Sequence, residues 1–224
     1  MFELLLITDP SAPRGLVGSV AAALDGQPPG RLAVQLRAKA PASARVRTTP
    51  TPPASEAPEP PARLLALARD LRSLTRNAGI PLLINGSLSL AEEVCADGVH
   101  LPELGPSPAE ARARLGAGAI IGVSCHAPAR LALAAEGGAS FATLSPVYPS
   151  PGKGEPLGLA RFAAWTGEAK LPVFALGGVT AAHALELRRA GASGLAVISA
   201  VFGAPEPAAA VRALLAAWDH LPAT

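Results

Sequence analysis

Short runs of Val, Ile and Leu recur along the chain, each followed by a longer stretch in which Ala and Leu recur among charged residues. The runs fall at 4–8 (LLLIT), 32–37 (LAVQLR), 81–85 (PLLIN), 98–101 (GVHL), 119–124 (AIIGVS), 141–145 (FATLS), 172–178 (PVFALGG) and 194–199 (GLAVIS). Continuous apolar runs of this length, in place of strict alternation, are the pattern of strands covered on both faces. Segments such as ARLLALARDLRSLTRNAG and AAHALELRRAGA carry helical periodicity, and the second closes with basic residues and Gly191, a good helix stop. Strand and helix repeated eight times predict a single (β/α)8 TIM barrel spanning residues 1–224. A doubly wound open sheet is the alternative topology. One segment breaks the rhythm: 40–62, APASARVRTTPTPPASEAPEPPA, is too rich in Pro, Ser and Thr to pack and reads as a mobile loop after the second strand. A lid and an inert insertion both fit it.

In a barrel of this kind chemistry collects at the carboxyl ends of the strands. Polar residues stand there: Thr8 and Asp9 after the first run, Gln35, Arg37 and Lys39 at the second, Asn85 at the third and His100 in the fourth. Ser124 and His126 follow at the fifth, Ser145 at the sixth and Ser199 at the eighth. A single polar residue at a strand end is ordinarily a turn former or a cap, whereas residues at most of the ends make a rim. In QLRAK the alternation of Gln35, Arg37 and Lys39 puts an amide and two cations on one face, a set suited to phosphate or pyrophosphate. In ALGGVTAAH, Gly177 and Gly178 let backbone approach a ligand and Thr180 is placed to cap the next helix. Strands seven and eight are where barrels commonly bind phosphate. The loop SPVYPSPGKGEPLGL carries a lone cation, Lys153, amid prolines and glycines.

Composition narrows the classes. Half the 224 residues are hydrophobic, enough for a real core, and the net charge of +2 includes no basic run of the kind nucleic acid requires. Cys95 and Cys125 lie in apolar segments without metal or redox spacing and read as reduced, buried thiols of a cytoplasmic protein. The N-terminal MFELLLITDP lacks the basic region and the apolar length of a signal peptide. No segment reaches the roughly 18 apolar residues of a membrane span, so no membrane partner is expected.

The ordered series LLITD, VQLRAK, LLINGSLSLAEEVCADGVHL, IIGVSCH, SPVYPSPGK, ALGGV and AVISAVFG resembles the thiamin phosphate synthase family and its sister, the thiazole tautomerases. The resemblance covers nearly the whole chain outside 40–62. It implies thiamin biosynthesis: a transferase couples hydroxymethylpyrimidine pyrophosphate with thiazole phosphate and releases pyrophosphate with magnesium help. By position, Gln35, Arg37, Lys39, Asn85, Ser124 and Lys153 resemble the pyrimidine and pyrophosphate ligands, with Lys153 closing over the departing group. Ser150, Gly177, Gly178, Ile198 and Ser199 resemble the thiazole phosphate pocket. The resemblance also exposes departures. The two magnesium aspartates of the synthases are replaced by Gly86 and Gly105, leaving Glu103 as a weak candidate, and Thr-x-Thr is reduced to Ser150-Pro151-Gly152. Asn85-Gly86 and Pro102 resemble the tautomerase branch, which binds thiazole phosphate and shifts a proton without metal. Its acid/base histidine, however, is Pro146 here, which leaves His126 and His100 as candidates for proton transfer. A synthase, a tautomerase-like isomerase and a non-catalytic binder of thiazole or thiamin phosphate all remain open at this point, as does a homo-oligomer, since related barrels often assemble.

Overall fold

In the computed structural model, which describes residues 1–38 and 61–220, the eight apolar runs form β1 (Leu4–Ile7), β2 (Leu32–Leu36), β3 (Leu82–Asn85), β4 (Gly98–Leu101), β5 (Ile120–Cys125), β6 (Phe141–Leu144), β7 (Val173–Leu176) and β8 (Gly194–Val197). All pair in parallel in chain order, and Leu4 and Leu5 of β1 stand opposite Leu195 and Ala196 of β8, which closes the barrel. That last pairing excludes the open sheet. The helices are α1 (Gly15–Leu24), α2 (Ala62–Asn77), α3 (Leu88–Glu93), α4 (Pro108–Leu115), α5 (Pro128–Glu136), α6 (Gly158–Glu168), α7 (Ala184–Arg189), α8 (Ser199–Phe202) and α9 (Pro207–Asp219). Residues 40–60 of the Pro-rich segment lie outside the described residues.

The period of two along each strand divides the core. Leu4, Leu6, Val34, Leu82, Ile84 and Val99 join the main apolar cluster with helix residues such as Val20, Leu71 and Phe162. Leu5, Ile7, Ala33, Leu83, Phe141, Phe174 and Ala196 form the second cluster, which includes Phe2. Phe141 meets Phe2 edge-on with centroids 5.4 Å apart and Phe174 at 5.0 Å. Gly122 makes room for this packing: a Cβ there would lie 2.4 Å from Cζ of Phe141 and 2.6 Å from Cδ2 of His100. Continuing the period of two toward the carboxyl ends, Leu83 is followed by Asn85, Ala33 by Gln35 and Phe141 by Thr143. The strand face that begins apolar therefore ends polar.

Local signals place the strand-to-helix connections. Ser87 and Ser107 accept the amides of Leu90 and Glu110 at 3.2 and 3.1 Å and so cap α3 and α4. Thr180 forms a capping box with His183 ahead of a 3-10 helix at Ala181–His183 that leads into α7. Gly191, at φ +91°, ends the chain's excursion through α7 as expected. Two expectations need correction. Ser199 does not end a strand but opens α8, because β8 stops at Val197. Cys125 is buried, but Cys95 is exposed: it sits two residues beyond the end of α3 with φ +49°, where the chain turns away from the core.

Candidate active site

The carboxyl ends of the strands surround a cavity of about 540 Å³. Gln35, Arg37, Asn85, His100, Ser124, His126, Ser150, Lys153, Gly177, Gly178, Ile198 and Ser199, all expected from the sequence, line it together. Lys39 lies outside the described residues. Asp9 is the one carboxylate among the described lining residues, and its Oδ1 already accepts from the amide and hydroxyl of Ser11 at 2.9 and 2.6 Å. The cavity is thus cationic through Arg37 and Lys153.

Its polar floor is organised by the strands. Gln35 on β2 donates through Nε2 to Oδ1 of Asn85 on β3 at 2.8 Å, while its own Oε1 is buried without a hydrogen-bond partner among the described residues. His100 on β4 is buried, with Nε2 3.2 Å from Oγ1 of Thr143 and Nδ1 without a hydrogen-bond partner among the described residues. Burial, and secondarily the charge of Arg37, lower its pKa from 6.5 to about 4. His100 is therefore a neutral hydrogen-bonding group at physiological pH.

Around the rim, the backbone amide of Arg37 donates to Oγ1 of Thr8 at 2.9 Å, which fixes the exit from β2. His126 presents Nδ1 2.6 Å from the carbonyl oxygen of Ser145, so that nitrogen is the donor of this contact. Also lining the cavity, Gly177 and Gly178 hold φ +96° and +66°, backbone that side chains rarely adopt. A Cβ on Gly178 would also stand 2.7 Å from the carbonyl oxygen of Pro149 and from Cβ of Tyr148. Ile198 and Ser199, which follow β8, line the same cavity.

Comparison with known proteins identifies the architecture. The family model described as thiamine monophosphate synthase matches residues 4–201. This chain belongs to the thiamine monophosphate synthase family. A protein of Geobacter sulfurreducens, provisionally named thiamine-phosphate synthase, is 45% identical over 221 residues, covering 96% of this chain and 93% of the relative. A thiamine-phosphate synthase of Roseiflexus castenholzii is 38% identical over 215 residues, covering 93% and 85%. The solved thiamine phosphate pyrophosphorylase from Pyrococcus furiosus superposes with a TM-score of 0.77 at 25% identity, covering 99% of this chain and 98% of that one. The names point to the synthase branch and do not favour the tautomerase or non-catalytic readings.

The magnesium ion that the family resemblance implies does not find a protein cage here. Among the described residues no group of three or more His, Cys, Asp or Glu is arranged to hold a metal ion. Pro102 fills the ground between the two glycines: a Cβ on Gly105 would lie 2.8 Å from its ring, and one on Gly86 would lie 3.5 Å from it. Glu103 does not line the cavity; Arg130 of α5 donates to its carbonyl oxygen and approaches its Oε1 at 3.3 Å. A hard cation needs oxygen ligands, and among the described residues Asp9 is the one carboxylate that lines the cavity.

The sequence reading passed over Thr143, Leu176 and the cluster of Tyr148, His183 and Glu186 behind the β7 turn. Counting two residues from Phe141 finds Thr143, but no local pattern announces contacts between residues 35 or more positions apart.

Proposed function

We infer that this chain joins hydroxymethylpyrimidine pyrophosphate to thiazole phosphate, releasing pyrophosphate and forming thiamin phosphate. One observation supports the reading: Arg37, Asn85, Ser124 and Lys153 line a single cavity together with the Gly177–Gly178 turn and Ser199. Two anionic groups fit such a cavity side by side.

The carbon–oxygen bond between the pyrimidine methylene and pyrophosphate breaks, and its electron pair leaves on the pyrophosphate oxygen. Lys153, Arg37, Asn85 and Ser124 are placed to stabilise that developing negative charge. The methylene cation is then captured by the lone pair of the thiazole nitrogen, which forms the new carbon–nitrogen bond. No proton needs to move. A neutral His100 suits this step, since a charged imidazolium on the floor would repel the cation. Gln35 and Asn85, which line the cavity and are joined side chain to side chain, are the amides this reading sets against the pyrimidine. The glycine turn supports the thiazole phosphate with main-chain groups.

The test is an end-point assay with both substrates, scored for thiamin phosphate by mass and repeated with Lys153→Ala. Losing one preorganised cation is expected to lower the rate by about 10²-fold. Absence of product while both substrates bind would overturn the reading.

A further inference from the structure

Behind the cavity wall, the β6 loop is fastened to the β7 turn by contacts that no substrate-binding role explains. The amides of Val147 and Tyr148 donate to the carbonyls of Leu176 and Gly177, each at 3.0 Å, so the β6–β7 pairing continues into the loops. The loop closes at its base, where Leu157 and Gly158 donate to Pro146 and Val147 at 2.8 and 3.0 Å. From this base the ring of Tyr148 stacks on His183, with centroids 3.9 Å apart and planes 17° from parallel. The Tyr148 hydroxyl donates to Oε1 of Glu186 on α7. His183 in turn accepts the Thr180 amide on Nδ1 at 3.3 Å. Burial and the Glu186 carboxylate raise the Tyr148 pKa, which keeps the phenol a donor.

Neither Tyr148 nor His183 lines the cavity, yet each adjoins residues that do. Tyr148 lies against Gly178 and precedes Ser150 and Lys153, whereas His183 holds Thr180. We propose that Tyr148 and His183 are positioning residues that lock the Ser150–Lys153 loop to the Gly177–Thr180 turn, fixing the two anion-binding sides of the cavity relative to each other. This rests on the synthase reading of the cavity. When the lock is broken, the loop must be ordered at the expense of pyrophosphate binding, while the glycine turn keeps its own backbone geometry.

Steady-state kinetics and limited trypsin cleavage after Lys153 test it on Tyr148→Ala and His183→Ala, with Tyr148→Phe retaining the stack. In both alanine variants the KM for pyrimidine pyrophosphate is expected to rise about tenfold, with that for thiazole phosphate changing less than about threefold. Cleavage after Lys153 is expected to accelerate about tenfold, with Tyr148→Phe recovering most of both effects. A purely structural role would lower kcat through loss of folded enzyme and leave both KM values alone. Wild-type cleavage rates in both alanine variants would overturn the lock, as would unchanged KM values. If Tyr148→Ala does not fold, His183→Ala and Tyr148→Phe decide by the same two readouts. Failure of the wild type to make thiamin phosphate would instead sink the synthase reading, and the cleavage result would still judge the lock.

Discussion

Acid should destabilise this protein partly through one residue. His100 is 2% exposed, and burial, with Arg37 adding to it, displaces its pKa from 6.5 to about 4. The unfolded chain binds this proton more readily than the folded one, so the histidine contributes stability that is fully present above about pH 6.5 and is lost as pH falls toward 4. At 1.36 kcal/mol per tenfold change in proton affinity, the whole displacement amounts to about 3 kcal/mol, of which about 2 kcal/mol is gone by about pH 5. Urea unfolding of the wild type and His100→Gln at about pH 7.5 and pH 5 measures it. Carboxylates common to both proteins cancel in the difference. The difference in unfolding free energy between the two should shift by about 2 kcal/mol against the wild type at the lower pH. Parallel loss of stability would refute a buried histidine that resists protonation.

Three further outcomes are expected. Gly178→Val should abolish thiazole phosphate binding in calorimetry while the protein stays folded, because its Cβ would strike Tyr148 and Pro149 from a left-handed backbone; unaltered affinity would remove this turn from the phosphate pocket. In the native protein a thiol reagent should label Cys95 and spare Cys125, which is buried with its pKa pushed up to about 12, until denaturant is added; two equivalents in the native state would contradict that. Gly105→Asp should cost about 1–3 kcal/mol by overlap with the Pro102 ring and be relieved by Pro102→Ala, whereas Gly86→Asp escapes that overlap and is strained instead by a backbone φ of +75°. Additive effects in urea unfolding of Gly105→Asp, Pro102→Ala and their combination would show that the ring is not the obstacle.

The barrel was legible because its signal is local. Runs such as LLLI and LAVQL become strands where they stand, and the period of two carries Ala33 to Gln35 and Leu83 to Asn85 on one inward face. Gln35 and Arg37 of the cavity lining followed from that same counting, whereas Ser150 and Ile198 followed from the family resemblance. Long-range pairings were not legible. Glu103 looks available in the sequence, but Arg130, 27 positions on, occupies it. Cys95 sits in apolar company, yet its exposure depends on where α3 ends and on one positive φ. Likewise His183 reads as a polar residue near a helix start, and only folding lays Tyr148 across it.

Pro102 also bears on how such a chain can change over time. Its ring occupies space that a side chain at position 105 would need, so an aspartate arriving there first meets a steric penalty. The permissive order begins with loss of the proline, a step that by itself creates no carboxylate and so offers selection nothing to retain. A descendant of this protein is therefore hindered from placing an acidic side chain at position 105 in a single substitution.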